Sequence, residues 1–440
     1  MGLNDRFTYS VFGRPEGQRF LLLSFAAFYL LSCFAPLRLE YDSIHYFSLK
    51  ECLENACPPG FQVAKDPHPL GYPVLLLVLS RLGLLHSFVI SGINALFLTG
   101  SLFFVRESFP PSLRSFLFFP LVCLQWTFIK FFAYPLSEMQ YLFFSTGCIY
   151  CFQRYAQVPR YDQVQGHAQV APEKRWLWLI AAVAGAGLAF FTRSAGCMLA
   201  PALLAGLMGQ HRQLLKLRIV KILLAVAGIL CLVGVFLFSK ALRIDVYLRS
   251  LGDRGSPIPL LREHLKEWGQ LILNVPGNKV MTLLPGWGNL LLIIAGLLLA
   301  FVLVYSFYIR RKEIPLVILT YLIAYCLLLF NWPFFDARFW IPVVPYMVVV
   351  MVQAPRGPVA TGGSLLKGLL RLLLAMYLLA GLGAAGYSIY TMYHKEVFAR
   401  TQAGGIFRNE YETWFFGRPM SDTATHPVDQ EVLSILKRYN

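Results

Sequence analysis

The chain has 440 residues, 57% of them hydrophobic and 14% charged, with a net charge of +16 and a mean hydropathy of +0.57. A soluble chain of this length needs more charge than that to cover its surface, which argues against a soluble globular enzyme. The apolar residues come in continuous blocks of about 20, enough for a helix to cross roughly 30 Å of hydrocarbon, and not in the alternation of a β-barrel. The composition predicts an all-α polytopic membrane protein. Its excess of Lys and Arg calls for no nucleic acid. The basic residues gather in short loops such as 211–221 and 310–313, which fits a positive-inside bias with anionic lipids as neighbours.

The polar start, MGLNDRFTYSVFGRPEGQ, has no small-residue cleavage site before an apolar run and does not read as a cleaved signal peptide. Spans are expected at about 20–37, 72–104, 115–133, 138–153, 177–192, 195–209, 222–238, 288–309, 314–331, 340–353 and 368–392. That is about 11 transmembrane helices. The block 72–104 is too long for one simple helix: it can open as a re-entrant or interfacial piece at 72–86, or be two helices. Counted once, it leaves the basic loops 1–19, 105–114, 154–176, 210–221, 310–313 and 354–367 on one side. The positive-inside rule then places the N-terminus in the cytoplasm.

This topology puts the loops 38–71 and 239–287 and the short tail 393–440 outside, so residues 1–392 form the membrane domain. Within the second loop, IPLLREHLKEWGQLILNV (258–275) repeats apolar residues at helical spacing. It predicts an external juxtamembrane helix lying on the membrane surface. Cys52 and Cys57 share the first external loop and can pair if it faces an oxidising compartment. There is no N-x-S/T sequon, so a bacterial inner membrane is a better expectation than the endoplasmic reticulum.

Four polar constellations fall on the external side, where ionisable groups at a bilayer mouth are functional candidates. The first is EYDSIHYF (40–47). Asp42, His45 and Tyr46 share one face if a helix starts there with Asp42 or Ser43 near its cap. A carboxylate there can be a general base. Alternatively Glu40 and Asp42 share a divalent cation such as Mg or Mn, or they are an N-cap and a solvated charge.

The second is DPHPLGYP (66–73), whose prolines and glycine fix an irregular turn, with His68 and Asp66 able to reach a ligand. The third is AYPLSEM (133–139), where Glu138 needs a partner if it is dry. The fourth is the arginine pair of FFTRSAG and NWPFFDARFWIPVVPY, Arg193 and Arg338. Their planar donor forks suit phosphate; interfacial snorkelling is the plainer reading. Together these residues describe a polar cavity that opens outward, with acids for a proton and arginines for a phosphate.

The order of the motifs resembles the membrane glycosyltransferases of the GT-C fold. It runs from an acid after the first span, through H-Y, H-P-x-G-Y-P, a short S-E turn and T-R-x-x-G, to a late R-F-x-x-P-x-x-P. The likeness is greatest to the branch of protein O-mannosyltransferases and lipid A aminoarabinose transferases, and it covers roughly residues 20–353. It implies a sugar donor linked to polyprenyl phosphate, transfer outside the cytoplasm, and a lipid, glycan or protein acceptor. It implies Asp42 as catalytic base, with Glu40 in an E-x-D variant where many members have adjacent Asp-Glu. Arg338 would hold the donor phosphate. His45, Tyr46, His68, Tyr72, Glu138 and Arg193 would line the substrate site. No cofactor is implied as required. A transporter or flippase for a lipid-linked solute would use the same cavity without a base, but no internal repeat points to one. A scaffold protein would need no such cavity.

Overall fold

The first apolar run becomes a helix that starts at Pro15, and the chain then alternates long apolar helices with short interrupted ones. The computed structural model describes residues 15–35, 37–58, 61–63, 66–161, 172–210, 257–352 and 364–394. In chain order the helices are α1 (Pro15–Ser32), α2 (Tyr41–Leu53), α3 (Gly71–Arg81), α4 (Ser87–Ser108), α5 (Phe118–Cys123), α6 (Trp126–Phe131), α7 (Glu138–Tyr161) and α8 (Pro172–Thr192). There follow α9 (Leu199–Gln210), α10 (Pro257–Leu273), α11 (Gly277–Leu283), α12 (Gly288–Arg310), α13 (Leu316–Phe330), α14 (Val344–Val352) and α15 (Ser364–Tyr393). Among the described residues every regular element is helical.

Among the described residues, four helices are long and apolar enough to cross a membrane: Ser87–Ser108, Arg175–Thr192, Gly288–Arg310 and Arg371–Tyr393. Their outer faces carry exposed Leu96, Phe103, Ile180, Val183, Phe301, Val304 and Leu379. Bare apolar surface on this scale is an association liability in water and is at home in hydrocarbon. The expected span 222–238, the loop up to residue 256 and the tail from residue 395 lie outside the described residues.

Two expected elements differ in the structure, and a third is resolved between its alternatives. The block 72–104 is two helices, α3 and α4, the second of the two readings its length allowed. At 1.5 Å per residue, the 11 residues of α3 are too short to cross, and α4 is the helix of this block long and apolar enough to do so. The block 115–133 is not one helix but α5 and α6, broken at Leu124–Gln125. The break is held by Asn274 from the end of α10, whose Nδ2 donates to Leu124 O at 2.8 Å while Trp126 N donates to its Oδ1 at 2.7 Å. The orphaned backbone groups of the break are thus satisfied.

The helix expected over 258–275 is present as α10, but one face packs into the protein. His264, Glu267, Trp268 and Leu271 are buried, and α10 packs along α12. Gly296 makes this closeness possible, because a Cβ there would strike the carbonyl oxygen of Leu265.

The core joins α7 to α4 and α8, and α9 to α13. Tyr141, Tyr321, Tyr325, Trp340 and Tyr346 are fully buried within it. Gly71 explains part of the DPHPLGYP motif. A Cβ there would sit 2.7 Å from Phe191 O, so only glycine lets the start of α3 abut the end of α8.

Candidate functional site

The site is built on α2. Its N-cap is Glu40, earlier than the expected Asp42 or Ser43, and Glu40 N donates to Ser43 Oγ at 3.2 Å. Starting the helix there puts Asp42 in the first turn, where the helix dipole favours a negative charge. Asp42, His45 and Tyr46 project from one face, as their spacing requires.

Asp42 has two cationic neighbours. Its Oδ2 accepts from Arg338 Nη2 at 2.7 Å, and its Oδ1 lies 3.4 Å from His68 Nε2. Asp66 holds the other side of His68, accepting from its Nδ1 at 2.9 Å and its backbone N at 2.7 Å. The second Asp66 oxygen meets His45 Nδ1 at 2.5 Å. The result is a chain of partners running Asp42, His68, Asp66, His45.

The charges within this chain are set by each other. Burial pushes the Asp42 carboxyl up, but Arg338, His68 and Arg193 outweigh it and hold the group well below the usual carboxylate range. Asp66 is likewise pushed up by burial and brought below its ordinary value by the hydrogen bonds from His45 and His68. Burial lowers His68, yet its bonds to Asp42 and Asp66 win and raise the imidazole to about 9.

The two arginines complete the centre. Arg338 lies in a short 3-10 turn, Ala337–Trp340, capped by Asp336, whose Oδ1 accepts from Arg338 N at 2.9 Å. Asp336 Oδ2 is 3.1 Å from Arg338 Nε. Glu138 opens α7 and is buried. Its Oε1 is 2.6 Å from Arg193 Nη1 and 3.7 Å from Arg338 Nε, the partnership its burial demands. Arg193 and Arg338 both stand over the Phe339 ring, at 5.3 and 5.1 Å. Arg338 is 6% exposed, and its Nη1 has no hydrogen-bond partner among the described residues. A buried guanidinium with a spare donor is suited to one more anion.

Aromatic groups pack the floor. The Tyr46 hydroxyl meets Ser137 Oγ at 2.8 Å, and the Tyr46 ring contacts those of His68 and Tyr72 at 5.1 and 5.2 Å. Eight of the nine residues expected at the site, from five separate stretches of sequence, therefore meet in one cluster: Asp42, His45, Tyr46, His68, Tyr72, Glu138, Arg193 and Arg338. The ninth, Glu40, points to a partner of its own, with Oε1 3.1 Å from Lys130 Nζ. Glu40 and Asp42 are thus each paired with a different cation, which argues against the shared metal site considered from sequence. His45, Asp66 and His68 have their ligand atoms within 4.8 Å of one another, a set that can hold a transition-type ion. The hydrogen bonds above already satisfy the Asp66 carboxylate.

Sequence reasoning missed three contributors. Lys130 was a signal, as a lone lysine in the apolar run WTFIKFF. Asp336 stood beside Arg338 but was not assigned to the site. The third is a buried knot behind Arg338, in which Glu267 Oε2 accepts from Trp340 Nε1 at 2.7 Å and meets His264 Nδ1 at 2.8 Å. It ties α10 to the turn that carries the arginine. Cys52 and Cys57 form a disulfide at the end of α2. In comparisons with known proteins, no family model, curated protein or solved structure matches this chain.

Proposed function

We propose that this chain is an integral-membrane glycosyltransferase of GT-C type. It has about 11 crossings and a cytoplasmic N-terminus, and its charged centre lies on the outer face of a bacterial inner membrane. It moves a sugar from a polyprenyl-phosphate donor to an acceptor. The observation that carries the reading is the direct contact of Asp42 with Arg338 at 2.7 Å. A carboxylate for a proton and a buried guanidinium for a phosphate stand side by side.

In this reading the donor phosphate takes Arg338, with Arg193 behind it. An acceptor hydroxyl or amine attacks the anomeric carbon and forms the new bond. Its proton passes to Asp42. The bond from the anomeric carbon to the phosphate oxygen breaks, and the electron pair leaves with the polyprenyl phosphate. The charge that grows on that oxygen is stabilised by the arginines in a water-poor site. A single displacement inverts the anomeric centre. No step needs a cofactor, and the Glu40–Lys130 pair sits at the rim.

The test is transfer of radiolabel from a panel of polyprenyl-phosphate sugars to membrane-extract acceptor. Asp42→Asn is expected to lower transfer by about 10²–10⁴-fold, the typical worth of a general base, without weakening donor binding. Equal transfer by both proteins would remove Asp42 as base. Lipid flipping without transfer would favour the transporter reading.

A further inference from the structure

A cleft of about 490 Å³ lies next to the charged centre. Its walls come from α6, α10, α11, the start of α12 and the strand of chain before the Arg338 turn. Two of its lining residues also belong to the centre's surroundings. Asp336 lines the cleft and bonds Arg338, and Lys130 lines it and bonds Glu40. A molecule in the cleft is therefore one residue away from the Asp42–Arg338 pair. Its volume falls inside the range of about 300–1,000 Å³ usual for small-ligand sites.

The lining tells what kind of molecule fits. Lys130, Lys266 and Lys279 are balanced by Glu263, Glu267 and Asp336. An anionic ligand would want an excess of cations. Trp126, Met281 and Leu292 give the cleft an apolar side as well, but a lipid tail would leave the charged and carboxamide groups opposite it without partners. Gln270, Asn278 and Asn289 add carboxamides, each both donor and acceptor. Matched donors and acceptors suit hydroxyl groups, which do both at once. A peptide bound through its backbone would need a free strand edge, whereas these walls are mostly helices, leaving side chains as the main source of bonds. Phe335, 42% exposed, offers an apolar ring to the C–H face of a sugar.

We infer that this cleft binds the acceptor, and that the acceptor is an uncharged, polyhydroxylated glycan. The assignment of the cleft as the acceptor site rests on the glycosyltransferase reading above; glycan binding itself does not.

The test uses the full chain in nanodiscs with one cysteine placed in the cleft, at Lys279→Cys or Asn289→Cys. Both native side chains are exposed, and neither belongs to the charged centre. Arg262→Cys, on the same helix bundle but outside the cleft, is the control. The rate of modification by a water-soluble maleimide is measured against wild type, to subtract the native thiols. The probes are pooled neutral trisaccharides (maltotriose, mannotriose and chitotriose), glucose 6-phosphate, and a Ser/Thr-rich peptide. The trisaccharides should slow both cleft cysteines about threefold or more, by mass action, and leave the control unchanged. Protection by the phosphorylated sugar alone, by the peptide alone, or by none of the probes would overturn the inference.

A second variant, Asn289→Trp, narrows the cleft. It should reduce acceptor kcat/KM about tenfold or more while polyprenyl-phosphate binding stays at the wild-type level. Unchanged transfer, or an equal loss of donor binding, would overturn the acceptor assignment. Glycan protection in a protein that transfers no sugar would instead overturn the glycosyltransferase reading and leave a glycan-binding cleft.

Discussion

Asp42 and Arg338 are 296 positions apart in the chain and joined by a 2.7 Å hydrogen bond. In the proposed mechanism the base is therefore held by the group that must bind the donor. A carboxylate kept this far below its ordinary range is a weak base. A phosphate arriving at Arg338 competes with Asp42 for the guanidinium, so it weakens the pair and raises the proton affinity of Asp42 when an acceptor proton must be taken. Asp42→Asn removes the competitor. It should tighten polyprenyl-phosphate binding about tenfold, equivalent to about 1.4 kcal/mol, while Arg338→Ala should weaken it at least as much. Equilibrium binding of the labelled lipid phosphate checks both. Weaker binding in Asp42→Asn would mean that Asp42 orients Arg338 and does not compete with the donor.

The imidazole of His68 gives the site a signature at alkaline pH. Its ordinary value of 6.5 is raised to about 9 between Asp42 and Asp66. A raised value means that the protonated form is favoured by folding. Its stabilisation is complete below about 6.5 and is lost as pH rises through about 9. Thermal unfolding in mild detergent should therefore show a midpoint that falls between pH 7 and pH 10. His68→Gln should start lower and lose this dependence. The carboxyls of Asp42 and Asp66 are shifted the other way, so their contribution persists at neutral pH and fades only in acid, below the ordinary carboxylate range. A flat alkaline limb in the wild-type protein would contradict the network.

The local part of the site was legible in the sequence. Asp42, His45 and Tyr46 show their common face through spacing alone, and the prolines of DPHPLGYP announce the turn that presents His68. Pairing was harder to read, because every decisive contact is long in sequence: Asp42 with Arg338, Glu138 with Arg193, Glu40 with Lys130. Single-sequence periodicity contains no term for such partners. The break between α5 and α6 was hard to read for the same reason. Pro120 and Gln125 hint at an interruption in residues 115–133, but the groups that hold the break open come from Asn274. The apolar face of α10 was legible as a pattern, but whether it meets lipid or protein was not, and the close approach at Gly296 shows that it packs into the protein.

Glu138 and Arg193 should behave as a unit. The glutamate is buried and lies 2.6 Å from the arginine. Removing one charge strands the other in a poorly solvated place, which for buried pairs costs about 3–5 kcal/mol. Glu138→Ala and Arg193→Ala should each lower the unfolding midpoint substantially. The double variant should be less unstable than the sum of the singles, by about 1–3 kcal/mol. Donor binding should suffer more in Arg193→Ala, which removes a cation behind Arg338, than in Glu138→Ala, which removes a carboxylate 3.7 Å from Arg338 Nε. A double-mutant cycle on thermal or denaturant unfolding checks the coupling, and strict additivity would show that the pair is not an energetic unit.

The Cys52–Cys57 disulfide closes a loop with a sequence separation of 5 at the C-terminal end of α2. A loop this short contributes about 2 kcal/mol in the chain-entropy account. The paired Cys52→Ser/Cys57→Ser variant should therefore unfold at a moderately lower temperature and keep the charged centre, which sits at the other end of the helix. The bond also reports sidedness. In intact cells, a membrane-impermeant maleimide should label these two cysteines only after reduction, and label them from outside. Measured against the double-serine variant, such labelling would place the first loop, and with it Asp42, on the non-cytoplasmic face. Labelling only after the membrane is permeabilised would put the loop inside and contradict the proposed orientation.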